Sequence, residues 1–343
     1  MDSVRFQKEL IKAKVPNHSM KLTRLSKEKK ILIKYIINFF PELIRLFLFF
    51  RSRKFNLIQV NGSQQFKGAI AAKMAGIPLI WLIEDALMSR IVKVICKVLA
   101  NITASGIIVV GKKVYEYYIE GTFLEKKPII EIHPPVNTAI FRNENAVLNE
   151  QLSNFKGKKI ITVSGINPTK GLEYFLKMAS EIVAKYEDIC FFIAAPNLKS
   201  QKNYFKKLEN IISSSHLNDQ NCKFLGMISD VPSFLKSGDI FVYTSISETG
   251  PMAVWEAMSM GKPIVTTDVG SVSEYLKDGV NAFIVEPRKT KDLVKKLETL
   301  LNDNELQKSM GSSVRSIAKE KLDVSIIAKK YVNFYEQIIL KNQ

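Results

Sequence analysis

At 343 residues and 46% hydrophobic content the chain exceeds one ordinary core, which predicts two folded domains and excludes a disordered or fibrous protein. Cys96, Cys190 and Cys222 show no C-x-x-C spacing, and His18, His133 and His216 stand singly, so a disulfide framework and a zinc site are not expected. The cysteines read as buried small residues in a reducing, cytoplasmic setting, and no secretory signal is visible at the N-terminus. The net charge of +17 is uneven: residues 1–53 hold 13 Lys/Arg against 4 Asp/Glu, a net +9. Nucleic acid is not the expected partner, because this charge accompanies buried-type aliphatics and no groove-reading motif.

Within that basic region Ile31–Phe50 (ILIKYIINFFPELIRLFLFF) is strongly apolar, but Lys34, Pro41, Glu42 and Arg45 interrupt it. It therefore fails as a spanning helix, which needs roughly 20 mostly uncharged residues. Two readings stand: a helix lying peripherally on an anionic membrane, or a core helix of the first domain with a basic solvent face. Strands are then expected at Leu57–Val60, Pro78–Ile83, Gly106–Val110 and Ile129–Ile132, with helices at Gly68–Met74, Ile91–Leu99 and Lys113–Tyr118. His133–Phe141 reads as an exit loop, and the polar, aperiodic Asn143–Gly157 places a domain boundary. Strands restart at Lys159–Val163, Cys190–Ala194, Ile240–Tyr243 and Pro263–Thr266 with helices between them, and the closing Val324–Leu340 is amphipathic. The fold class is α/β, with two doubly wound, Rossmann-like parallel sheets.

The most informative stretch is 240–287. Ile240–Thr244 reads as a buried strand opening into the turn Ser245–Gly250. A helix is expected from Pro251 to Met260, with Thr249 as cap, Pro251 in the first turn and Gly261 as the left-handed stop. The amides at its start, across Thr249, Gly250, Pro251 and Met252, can hold an anion, most naturally a phosphate. Glu248 and Glu256 flank this point eight positions apart. A carboxylate beside a phosphate suits the neutral hydroxyls that the phosphate carries, so a sugar on one side and a ribose on the other describe a nucleotide sugar. Such a pair in isolation is more often two solvated surface charges.

The flanks argue otherwise. SETGPMAVWEAMSMGKPIVTTDVGSVSEY, with Gly226–Ser245, Asp278–Pro287 and Val163–Leu172, resembles the ordered motifs of glycosyltransferase family 4, the group 1 retaining transferases of GT-B fold. The resemblance implies an N-terminal acceptor-side domain at 1–143, a nucleotide-sugar donor domain at 158–323, and a helix at 324–343 that crosses back onto the first domain. It implies that Lys170 neutralises a departing diphosphate, that Glu248 holds sugar hydroxyls and Glu256 the ribose, and that Gly270, Ser271 and Glu274 lie in the loop approaching the donor. The arginine that usually precedes the lysine is Gly165 here. Glu84, with Asp85 after it, falls where the family places a histidine near the transferring sugar; loop-end acids without a catalytic role are the other reading. Asp239, Asn281 and Phe283 read as structural. The family's opening strand and glycine loop are not recognisable in Met1–Val15, so the first domain is expected to lack that unit.

The implied activity is retaining transfer of a sugar from a nucleoside diphosphate to a glycan or lipid-linked acceptor, without cofactor or metal. A catalytically weakened sugar-nucleotide-binding protein or partner subunit, and an epimerase or phosphorylase on the same fold, are the alternatives. A nicotinamide dehydrogenase fits poorly, since no G-x-G-x-x-G follows a strand.

Overall fold

The computed structural model describes residues 3–86, 88–144, 146–196 and 199–343. Met1 and Asp2 of the first expected domain and Asn145 of the expected boundary lie outside them. Three helices precede the first strand: α1 (Ser3–Lys12), α2 (Lys29–Ile37) and α3 (Phe39–Arg53). The apolar run is thus two helices broken at Asn38, two residues before the first-turn pair Phe40–Pro41, and among the described residues no helix is long and apolar enough to cross a membrane. One face of α3 packs inward, as the core-helix reading expects, and the other is uncovered. Leu43 and Leu46 of α3 are buried, while Phe40, Ile44 and Leu48 are exposed.

The first sheet is parallel, with β1 (Ile58–Asn61), β2 (Leu79–Ile83), β3 (Gly106–Val109) and β4 (Ile129–Glu131) side by side in chain order. Helices α4 (Phe66–Met74), α5 (Arg90–Thr103) and α6 (Lys112–Tyr118) connect them. Every residue of β2 and β3 is buried, as strands covered on both faces must be. Glu42 of α3 forms a buried ion pair with Lys67 of α4 and accepts from the Thr23 amide (2.9 Å) and hydroxyl (2.8 Å), which pins the basic N-terminal region to the sheet. Burying that carboxylate is tolerable because each of these donors replaces water.

The second sheet follows α7 (Glu150–Ser153). Its elements are β5 (Lys158–Val163), α8 (Leu172–Val183), β6 (Ile189–Ala194), α9 (Lys202–Ser213), β7 (Cys222–Phe224), α10 (Val231–Ser237) and β8 (Ile240–Tyr243). Then come α11 (Met252–Ser259), β9 (Ile264–Thr267), α12 (Val272–Tyr275) and β10 (Phe283–Val285), and α13 (Thr290–Leu301), α14 (Asn304–Ile317) and α15 (Val324–Lys341) close the chain. The strand order is β10-β9-β8-β5-β6-β7, all parallel. The chain winds outward from β5 through β7, then returns to the other flank of β5 as β8. The order therefore reverses between β5 and β8, and ligands of such sheets bind outside the carboxyl ends of the strands at that point. β7 and β10, three residues each, carry too little alternation to be read from sequence.

Helix α15 packs on the first domain. Ile327, Phe334 and Ile338 belong to that domain's core, and a Cβ at Gly106 of β3 would lie 2.8 Å from Ile338 and 2.9 Å from Phe334. The two crossings of the chain between domains are laced together, with the Val136 amide donating to the Leu322 carbonyl (2.9 Å) and the Val324 amide to the Val136 carbonyl (3.0 Å). Ile338→Ala is expected to cost about 2–5 kcal/mol in urea unfolding, the range for a buried aliphatic truncation. Val332→Ala, on the exposed face of the same helix, should stay within about 0.5 kcal/mol.

Candidate active site

The site is built at the β5/β8 reversal. After β5 the chain makes a one-turn 3-10 helix, Pro168–Lys170, capped by Asn167, whose Oδ1 accepts from the Thr169 amide at 3.0 Å. Gly171 follows with φ +63°, and a Cβ there would sit 2.1 Å from the Thr244 carbonyl oxygen, so a side chain would force the two loops apart. Three bonds sew this turn to the loop after β8: the Ile246 amide to the Thr169 carbonyl (2.7 Å), Ser245 Oγ to the same carbonyl (2.8 Å) and Thr244 Oγ1 to the Gly171 carbonyl (3.0 Å).

This lacing brings Lys170 and Glu248, 78 positions apart, into one ion pair. Lys170 Nζ donates to Glu248 Oε1 at 2.5 Å and Tyr243 Oη donates to the same oxygen at 2.7 Å, while Ser245 Oγ, whose proton goes to the Thr169 carbonyl, lies 2.9 Å from it. Burial and the Glu248 charge push the Tyr243 phenol well up, which keeps it a donor. Glu248 is thereby fixed at its base by two donors, Lys170 and Tyr243, while Lys170 stays 30% exposed and able to meet a ligand.

The expected start of the next helix needs correction. The helix is Met252–Ser259 with Pro251 as its cap residue, and Thr249 does not cap it. The Thr249 carbonyl accepts from Ser271 Oγ (3.4 Å), and Gly270, at φ +59°, lets its backbone approach that carbonyl, a Cβ there coming within 2.7 Å. Thr249 is thus drawn toward the 270–271 loop, and the Met252 amide turns back onto the Gly250 carbonyl (2.9 Å). Pro251 has no N–H, so the Thr249 and Gly250 amides are the donors of this segment that, among the described residues, have no hydrogen bond within the protein. Glu256 lies four residues beyond Met252 on one helix face. Desolvation pushes its carboxyl up to about 7.

The first domain meets this loop through residues the sequence did not single out. Gly250 abuts Pro134 of the linker, and Gly111 abuts Ser271. His133, buried, sets Nε2 2.8 Å from Glu131 Oε1 and 3.0 Å from Glu274 Oε2, with Nδ1 2.5 Å from Tyr275 Oη. Burial and the neighbouring Glu274 push the Glu131 carboxyl up, while hydrogen bonds from His133 and Glu131 hold Glu274 down in spite of its own burial. Glu131 and Glu274 thus face each other across the domain boundary beside the imidazole. Among the described residues these three are the set whose ligand atoms lie close enough, within 4.8 Å of one another, to hold a cation. The i, i+2 spacing of Glu131 and His133 off the end of β4 signalled a shared face, but nothing local named Glu274 as the partner. Glu84 is not brought into the Lys170–Glu248 group. It lies exposed at the carboxyl end of β2, its carboxyl raised by partial burial and by Asp85, within electrostatic reach of Tyr331 on α15.

Comparison with known proteins bears on the family and the fold. The family described as "Glycosyl transferases group 1" matches residues 144–316. The chain is 27% identical over 181 residues to the alpha-D-kanosaminyltransferase of Streptomyces kanamyceticus, covering 52% of this chain and 45% of that one. It is 29% identical over 154 residues to the N,N'-diacetylbacillosaminyl-diphospho-undecaprenol alpha-1,3-N-acetylgalactosaminyltransferase of Campylobacter jejuni, covering 43% of this chain and 41% of that one. The chain thus spans less than half the length of these two relatives. The crystal structure of Anabaena Alr3699/HepE in complex with UDP superposes over 97% of this chain and 89% of that one, with a TM-score of 0.81 at 21% identity. The fold is GT-B, and the chain belongs to the group 1 glycosyl transferases.

Proposed function

We propose that this protein is a retaining glycosyltransferase of the family 4 type, moving a sugar from a nucleoside diphosphate to a lipid-linked or glycan acceptor. The observation that carries the reading is the Lys170–Glu248 pair at the strand-order reversal, with the two open amides of Thr249 and Gly250 beside it. The diphosphate would lie across Lys170 and those amides, which stabilise charge developing on the leaving group. Glu248, its Oε1 already bonded, would take sugar hydroxyls on its free side, and Glu256 would take the ribose. The sugar–phosphate bond breaks as the acceptor oxygen bonds the same face of the sugar, and a leaving phosphate oxygen takes the acceptor proton. This scheme needs no cofactor or metal, since Lys170 and the amides supply the positive charge. Gly270 and Ser271 hold the phosphate loop from behind, and Glu84 would contact acceptor hydroxyls from the first domain. UDP is the first candidate nucleotide, given the Anabaena complex, and the undecaprenol-linked substrate named for the Campylobacter relative supports a lipid-linked acceptor.

Such an acceptor lies in a membrane, and the exposed apolar positions of α2 and α3 among basic residues 21–53 would bring the chain peripherally to the inner face of the cytoplasmic membrane. The weakened-binder alternative rests on Gly165. A Cβ at that position meets nothing within 4 Å, so the second cation is missing from a place with room for it.

Lys170→Ala should lower turnover at least ~100-fold while changing UDP, GDP or ADP affinity much less; steady-state kinetics with titration calorimetry reads both, and unchanged turnover contradicts the role. The raised Glu256 carboxyl favours the folded state while protonated. Its stabilising effect is complete below pH ~4.5 and is lost as pH rises through about 7, where the buried charge costs roughly 2–4 kcal/mol. Glu256→Gln is therefore expected to raise the melting temperature at pH 8 and not at pH 4.5, and to weaken nucleoside diphosphate binding by about 1–3 kcal/mol. Vesicle co-sedimentation should show attachment to anionic bilayers that high salt reverses. A chain left in solution by such vesicles at low salt contradicts peripheral attachment.

A further inference from the structure

Helix α5 has two apolar stripes. Cys96, Ala100 and Thr103 are buried against the sheet, but Ile91, Val94, Ile95, Val98 and Ile102, at helical spacing, are exposed. The exposed stripe runs among Arg90, Lys93 and Lys97, and the helix contains no acid. Across from it Leu32 and Ile36 of α2 are likewise uncovered, and the two helices wall a groove of about 520 Å³ whose floor includes Tyr35 and Phe66. That volume falls within the roughly 300–1,000 Å³ of ligand-holding clefts. Nine of its thirteen lining residues are apolar and none is acidic.

The groove's position gives it a use. Its lining residues Gln64 and Ser89 follow the carboxyl ends of β1 and β2. The same sheet edge, at the ends of β3 and β4, touches the donor domain: the Lys112 amide reaches Glu274 (3.5 Å), and His133 lies 3.0 Å from the same carboxylate. The groove therefore opens on the cleft side of the first domain, with Lys27 in its wall and Arg90 at the first turn of α5. A second copy of this chain is a poor occupant, because a symmetric contact would set this basic face against itself.

We infer that this groove holds the hydrocarbon chain of the lipid-linked acceptor, with the lipid phosphate at its basic mouth. The inference rests on the lipid-linked reading above and adds a binding site to it. Ile36 and Ile91 are 63% and 74% exposed, so Ile36→Asp and Ile91→Asp place a charge in the groove without disturbing the core.

The test uses the full chain and a dansyl-labelled C15 prenyl phosphate below its micelle concentration, read by fluorescence anisotropy. Saturable binding is expected, weakened at least ~10-fold by either Asp variant and by Lys27→Glu. Met227→Asp, on the far domain and 78% exposed, should bind as wild type does. Dodecyl phosphate should displace the probe and inorganic phosphate should not. Equal binding by the groove variants, or displacement by inorganic phosphate alone, overturns the inference. So does a chain that attaches to anionic vesicles yet takes up no monomeric prenyl phosphate, since the face is then only a membrane surface. UDP affinity measured on the same variants should be unchanged; loss of UDP binding by the wild type would count against the donor reading and leave the groove result standing.

Discussion

The contact between the Pro168–Gly171 turn and the Thr244–Glu248 loop is the constraint on which the site depends. A glycine is required at 171 because the Thr244 carbonyl occupies the space of any side chain. Given that approach, Lys170 meets Glu248 without either loop being long. The reversal of strand order between β5 and β8 supplies the crevice, and Asn167, Ser245 and Thr244 spend their polar atoms holding its two lips together. Rigid loops at a strand-order reversal let a lysine and a carboxylate be presented at fixed separation, which is what electrostatic stabilisation of a leaving group demands.

Charges in this chain fall into two kinds. Glu42 is buried but answered by Lys67 and Thr23, and Asp323 is held down to about 2, in spite of burial, by hydrogen bonds from Ser325 and Thr138. These are structural, tying the N-terminal helices and the second interdomain crossing to the rest. Glu256 differs: burial pushes its carboxyl up to about 7 by desolvation alone. An ionisable group raised by burial alone, with no charge to answer it, is a mark of function before stability.

The sequence made much of this legible for identifiable reasons. Ile240–Tyr243 is uncharged and β-rich, so its strand and the loop after it could be placed, and the glutamates around Pro251 gave the site its reading. The helix start was misplaced because Thr249 is a good cap in isolation; its diversion to Gly270 and Ser271 is a tertiary contact that no local propensity encodes. The Glu131–His133–Glu274 group was invisible for the same reason, being assembled from β4 and α12 across the domain boundary. The apolar run 31–50 was read as one helix with two possible fates. Its break at Asn38 and the buried Glu42 show one face packed in the core and the other open.

We propose that a nucleoside diphosphate lies across Lys170 and the Thr249–Gly250 amides. Hydrogen–deuterium exchange of the full chain with and without saturating UDP, GDP and ADP tests it most directly. One of these should slow exchange in 165–171 and 244–252 together, with little change in the first sheet. Protection confined to other segments, or none with any of the three nucleotides, would contradict it.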